Sequence, residues 1–166
     1  MSDEERIEKA YAFAAEKHKG QYRIGGLPYI THPAAVAEIV KKKGGDTDTQ
    51  ITALFHDLLE DTDAAEEEIE AIGGKAVLEA VKLLTKKKGY IMADYVAGIR
   101  SNPMAKMVKA ADRLHNLQSA FCTSERFKRR YIKETIDWYL DLCPEILPAV
   151  KALAESVKQS LDDLRK

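Results

Sequence analysis

The chain has 166 residues, 45% hydrophobic and 32% charged, with 26 Lys plus Arg against 27 Asp plus Glu for a net charge of -1. These proportions suit one soluble globular domain with a sizeable core, residues 1–166, and exclude a disordered chain. The charge balance offers no global basicity for nucleic acid, and no uninterrupted apolar run is long enough to span a membrane. The opening MSDEERIEKA has neither an apolar core nor a cleavage signal, so the expected location is cytoplasmic. Cys122 and Cys143 form no CxxC pair and are expected to be reduced and buried.

Helical periodicity dominates from the start. Ile7, Ala10, Tyr11 and Ala14 recur on one face and predict a helix over residues 4–18. The following KGQYRIGGLPY reads as a loop, because Gly20, Gly25, Gly26 and Pro28 interrupt regular structure. A second helix is expected from about Thr31 to Lys43, with Pro33 tolerated in its first turn and Gly44-Gly45 ending it. Thr47 followed by Gln50 reads as a capping box opening a third helix that carries ITALFHDLLED. Asp63 with Glu66 repeats that pattern before EEIEAIG. Further helices are expected in KAVLEAVKLLT, IMADYVAGIR, AKMVKAADRLHNLQSA, ERFKRRYIKETIDWYLDLC and the tail from Pro144 onward. No alternating β pattern of useful length occurs. The expectation is an all-α helical bundle of seven to nine helices.

Several conspicuous features read as structural. The KKK runs at 41–43 and 86–88 each precede glycine, as lysines do at the negative end of a helix dipole. KRR at 128–130 reads as a solvated face. Tyr131, Thr135, Trp138 and Leu142 fall at helical spacing and read as a packing stripe.

FHDLLED, residues 55–61, is different. On a helix at about 100° per residue, His56, Asp57, Glu60 and Asp61 share one sector roughly 140° wide, while Leu54, Phe55, Leu58 and Leu59 fill the rest. Burying ionised groups in that way is costly without a compensating partner. An imidazole beside a carboxylate supplies two adjacent metal ligands, and others must come from elsewhere. His32, at the start of a helix, and Asp112, inside the apolar MVKAADRLHNL, are the candidates. Two nitrogens and two carboxylates suit Mn, Fe, Zn or Co better than Ca or Mg. A cation held there would polarise a phosphoryl oxygen and activate water, with Glu60 and Asp61 one turn on to handle protons. Spacing alone leaves the structural reading open beside this one: His32 as a helix cap, and Asp112 paired with Arg113 or Lys109.

The order H…HD…D in a helical chain resembles the HD superfamily of metal-dependent phosphohydrolases. More closely, HKGQYRIGGLPYITHPAAVAEIV, ALFHDLLEDTD and VKAADRLHNL resemble the hydrolase domain of RelA/SpoT-type alarmone enzymes, especially the small stand-alone hydrolases. The resemblance runs from about residue 6 to residue 120. It implies removal of the 3′-diphosphate from guanosine 3′,5′-bis(diphosphate), or ppGpp, as pyrophosphate, with one divalent metal, usually manganese. Carried over by position, it makes His32, His56, Asp57 and Asp112 the metal ligands and Glu60 and Asp61 the catalytic acids. Arg23, Asn116 and Ser119 become substrate contacts. His18 and His115 are read as structural. The sequence departs from the family pattern at Ile24, where a second basic residue often follows the arginine. It departs again at Gln118-Ser119, where an arginine often lies near a threonine. The expected partner is thus a small nucleotide, with neither nucleic acid nor membrane, and oligomeric state is left open. The alternatives are an HD phosphohydrolase for a nucleoside monophosphate or a phosphorylated dinucleotide cofactor, and a nucleotide-binding regulatory module without turnover.

Overall fold

A computed structural model describes residues 1–157. Part of the predicted tail helix therefore lies outside the described residues. The described chain is all-α, with an isolated bridge between Tyr22 and Pro28 as the sole β feature among those residues. It forms two compact units, Met1–Ala111 and Asp112–Lys166.

The first unit begins with α1 (Asp3–Lys17), opened by a capping box in which the Ser2 hydroxyl accepts from Glu5 N–H and the Glu5 carboxylate accepts from Ser2 N–H. Next comes α2 (Thr31–Lys42), which ends as Gly44 turns at φ 87°. A Cβ at Gly45 would sit 2.3 Å from Val40 Cγ1, so that position admits only glycine without displacement. Then α3 (Thr47–Phe55) packs on both α1 and α2. Its N-cap is Asp46, whose carboxylate accepts from the Thr49 N–H and hydroxyl, rather than the expected Thr47. The short aspartate side chain one residue earlier reaches the orphan N–H better than the threonine does.

The expected continuous helix through ITALFHDLLED is interrupted. After Phe55 the chain turns at His56 and Asp57 and resumes as the single turn α4 (Leu58–Asp61). In an unbroken helix the Ala53 carbonyl serves the N–H of residue 57; here the His56 ring Nδ1 lies 2.6 Å from that carbonyl and competes for it.

The remaining elements of this unit are α5 (Glu66–Gly73), α6 (Lys75–Leu84), α7 (Met92–Arg100) and the first part of α8 (Pro103–Ser119). The expected Asp63–Glu66 capping box does not form. Glu68 reaches back to Ala65 N–H instead, and Asp63 pairs with Lys17. Nor do the lysines at 86–88 end a helix. α6 stops at Leu84, and Lys86 lies in the connecting loop with its ammonium over the rings of Tyr90 and Tyr95. The core gathers Ala10 and Ala14, Ile51, Leu54, Phe55 and Leu58, Ile69, Val77 and Val81. Phe13 meets Phe55 edge-on at 5.7 Å between ring centroids. This core fixes α3 and α4 on their apolar side and leaves the histidine–aspartate turn to face the start of α2.

In the second unit, the rest of α8 is followed by α9 (Glu125–Glu134), a π-helical turn over Thr135–Tyr139, and α10 (Leu147–Ser156). Thr135 and Leu142 are buried, but Trp138 is exposed and Tyr139 takes the interior place that the stripe assigned to the tryptophan. The π turn explains the change: Leu140 N–H bonds to the Thr135 carbonyl, and the extra residue rotates the face that follows. Arg113 is buried between the rings of Tyr131 and Tyr139, at 3.9 and 4.4 Å from their centroids, and pairs with Glu134. Cys143 is buried as expected, whereas Cys122 is exposed; both are free. No helix among the described residues is long and apolar enough to cross a membrane.

Candidate metal centre

His32, in the first turn of α2, and the His56–Asp57 turn come together from segments 24 residues apart in sequence. Both imidazoles are almost wholly buried, and Asp57 is half-buried. His56 Nδ1 donates to the Ala53 carbonyl, so in the neutral ring Nε2 carries the lone pair, and that atom lies 3.1 Å from Asp57 Oδ2. His32 Nε2 lies 3.9 Å from the same oxygen, and the two rings meet edge-to-face at 5.3 Å. One ligand atom from each of the three residues falls within 4.8 Å of the others.

A lone pair and a carboxylate oxygen at such a distance repel unless a proton or a cation lies between them. Ligands about 2.0–2.2 Å from one ion at a right angle sit roughly 3 Å apart, so the His56–Asp57 spacing fits shared coordination. Two imidazoles with a carboxylate are the donor mixture of a transition metal. Asp57 itself sits at φ -102°, ψ -2°, in the bridge region where site residues are often found.

Glu60 and Asp61 follow on α4, each with an exposed side. A Glu60 carboxylate oxygen accepts the backbone N–H of Lys86. Partial burial, then the charges of Asp57 and Glu60, push the Asp61 carboxyl up to about 6 against an opposing pull from His56. Such a group can change protonation near neutral pH.

Arg23 lies half-buried in the loop between α1 and α2, which closes as a small hairpin. Tyr29 N–H bonds to the Gln21 carbonyl and Arg23 N–H to the Leu27 carbonyl, while Gly25 and Gly26 turn at φ 103° and 93°. Ile24, beside Arg23, is exposed. Asp112, Asn116 and Ser119 belong to the second unit. Asp112 is buried, and its Oδ1 accepts from the Asn116 amide 3.2 Å away, one turn along α8. The Ser119 hydroxyl donates to the His115 carbonyl at 2.8 Å. His18 is buried with Nδ1 2.8 Å from the Gln21 side-chain oxygen, bracing the loop as expected.

Sequence reasoning missed two contributors. The Tyr29 hydroxyl donates to Asp57 Oδ2 at 2.6 Å, and the Gln21 amide donates to the Asp61 carbonyl at 2.8 Å. Neither residue shows in periodicity; only their position inside the loop before His32 marked the neighbourhood.

With this geometry in view, the HD domain family model matches residues 10–143. A guanosine-3′,5′-bis(diphosphate) 3′-pyrophosphohydrolase of Aquifex aeolicus is 35% identical over 167 residues, covering 96% of this chain and 23% of its own length. The bifunctional (p)ppGpp synthase/hydrolase SpoT of Escherichia coli K12 is 35% identical over 148 residues, covering 82% and 21%. The chain thus spans less than a quarter of those long relatives. The pyrophosphohydrolase MESH1 of Danio rerio is 34% identical over 157 residues, covering 89% of this chain and 87% of its own. A solved structure described as a metazoan ortholog of SpoT that hydrolyzes ppGpp shares the fold, with a TM-score of 0.64 at 24% identity over 96% of this chain and 93% of that one. A family match over most of the chain, with a relative of nearly its own length, establishes that this chain belongs to the HD domain family.

Proposed function

We propose that this chain is a divalent-metal-dependent phosphohydrolase that removes the 3′-diphosphate of guanosine 3′,5′-bis(diphosphate) as pyrophosphate. The observation that carries the reading is the convergence of His32, His56 and Asp57 with the Glu60–Asp61 pair one helical turn beyond. The 34% identity to a relative of similar length named for that reaction supports the substrate. We take residues 1–166 as one HD domain, since the family match over 10–143 runs across both compact units. Free cysteines, one of them exposed, suit the cytoplasm.

In this reading His32, His56 and Asp57 hold one ion, Mn2+ by preference, and Asp112 is the further ligand that the family resemblance implies. When bound, that ion supplies Lewis-acid polarisation of a phosphoryl oxygen and lowers the pKa of water. The chain does the rest. Asp61, on the turn that follows Asp57, accepts a proton from the attacking water and can return it to the leaving ribose oxygen. Glu60, held by the Lys86 backbone N–H, orients that exchange. The family resemblance assigns phosphate contact to Arg23 of the hairpin loop, and nucleotide contacts to Asn116 and Ser119. The amide of Asn116 also holds Asp112 in orientation.

Exposed Ile24, with no charge to offer a diphosphate, favours a second reading in which another nucleotide is the substrate. Product-resolved chromatography with Mn2+ separates them. Release of GDP and pyrophosphate from ppGpp is expected. Phosphate released from a nucleoside monophosphate or a phosphorylated dinucleotide, with ppGpp untouched, would favour the second reading. Binding of ppGpp without turnover under any divalent metal would leave a regulatory module.

A further inference from the structure

The geometry points to Tyr29 as a positioning residue that ties occupancy of the metal centre to the order of the Arg23 loop. The inference rests on the metal-centre reading but not on the identity of the substrate. Asp57 Oδ2 is the oxygen nearest both histidine Nε2 atoms, and it is also the one that accepts the Tyr29 hydroxyl at 2.6 Å. That bond fixes which lone pair of the carboxylate remains for a cation. Hydrogen bonds of this kind to ligating groups typically change metal affinity 10- to 100-fold when removed.

The Tyr29 ring is fixed on both sides. It lies 4.8 Å from the His18 ring and 5.9 Å from the His32 ring, centroid to centroid. Its backbone N–H closes the hairpin on the Gln21 carbonyl. The Gln21 side chain takes a bond from His18 and donates to the Asp61 carbonyl, so the other strand of the same hairpin is also tied to α4. The loop carrying Arg23 is therefore anchored twice to the segment that carries Asp57, Glu60 and Asp61. A cation that pulls Asp57 into one orientation holds Tyr29, and with it the loop. The exposed tip of the loop is the Gly25-Gly26 turn.

Tyr29→Phe keeps the ring and its packing and removes only the donor. Mn2+ affinity, measured by competition with a chelating dye, is expected to weaken about 10- to 100-fold. Limited trypsin cleavage of the Arg23–Ile24 bond provides the second readout. Mn2+ is expected to slow that cut in the unaltered protein, and to slow it distinctly less in Tyr29→Phe at matched occupancy. Circular dichroism of the variant establishes that the fold is kept. Unchanged Mn2+ affinity, or equal protection of Arg23–Ile24 in both proteins, overturns the proposal. Failure of the unaltered protein to bind Mn2+ at all overturns the metal centre itself.

Discussion

Asp61 holds a raised carboxyl because it is drawn partly out of water beside Asp57 and Glu60. The consequence for stability has a definite sign. The metal-free folded state binds that proton up to about pH 6, whereas the unfolded chain releases it near the ordinary value of 3.8. Stability from this group is thus full below the unfolded value and declines as pH rises through about 6. Asp61→Asn cannot ionise. The metal-free variant should match the unaltered protein near pH 4 and melt higher at pH 7, as thermal denaturation in EDTA would show; equal melting at pH 7 would contradict the assignment. The same substitution should keep Mn2+ content nearly intact while turnover of ppGpp falls at least about 100-fold. Parallel loss of metal and activity would move Asp61 into the ligand set.

At the scale of elements, the α3–α4 break is the feature on which the site depends. Phe55 closes α3 in the core, fully buried against Phe13, and the turn that follows is held by that anchor. Phe55→Ala should cost about 3–5 kcal/mol in urea unfolding. Asp46→Ala removes the cap of the same helix and should cost roughly 1 kcal/mol. The helices were legible in the sequence because their apolar faces recur at helical spacing and glycines end them. The break was not, because it depends on the His56 ring taking a backbone carbonyl, a choice with no periodic signature. The π turn at Thr135–Tyr139 escaped for a similar reason, since apolar spacing assumes a constant pitch. The clustering of His32, His56 and Asp57 was legible, because buried ionisable groups beside apolar neighbours call for a partner. Tyr29 and Gln21 were not, since a loop residue announces its hydrogen-bond partner only once the loop is folded.

For the whole molecule, a ligand that binds the folded state alone stabilises it by mass action. Mn2+ at about 100 times its dissociation constant should add roughly 2.7 kcal/mol, a rise of about 5–10 °C in melting temperature for a chain of this size. Differential scanning calorimetry with and without EDTA tests it, and an unchanged melting temperature in saturating Mn2+ would argue against a folded-state site. The central claim is that one cation is held by the imidazoles of His32 and His56 with the carboxylate of Asp57. Its most direct test is a Mn2+ titration followed by the electron paramagnetic resonance of the free ion, on the unaltered protein and on Asp57→Ala. The account predicts one tightly bound ion per chain, lost in the variant. Undiminished binding by Asp57→Ala would contradict it.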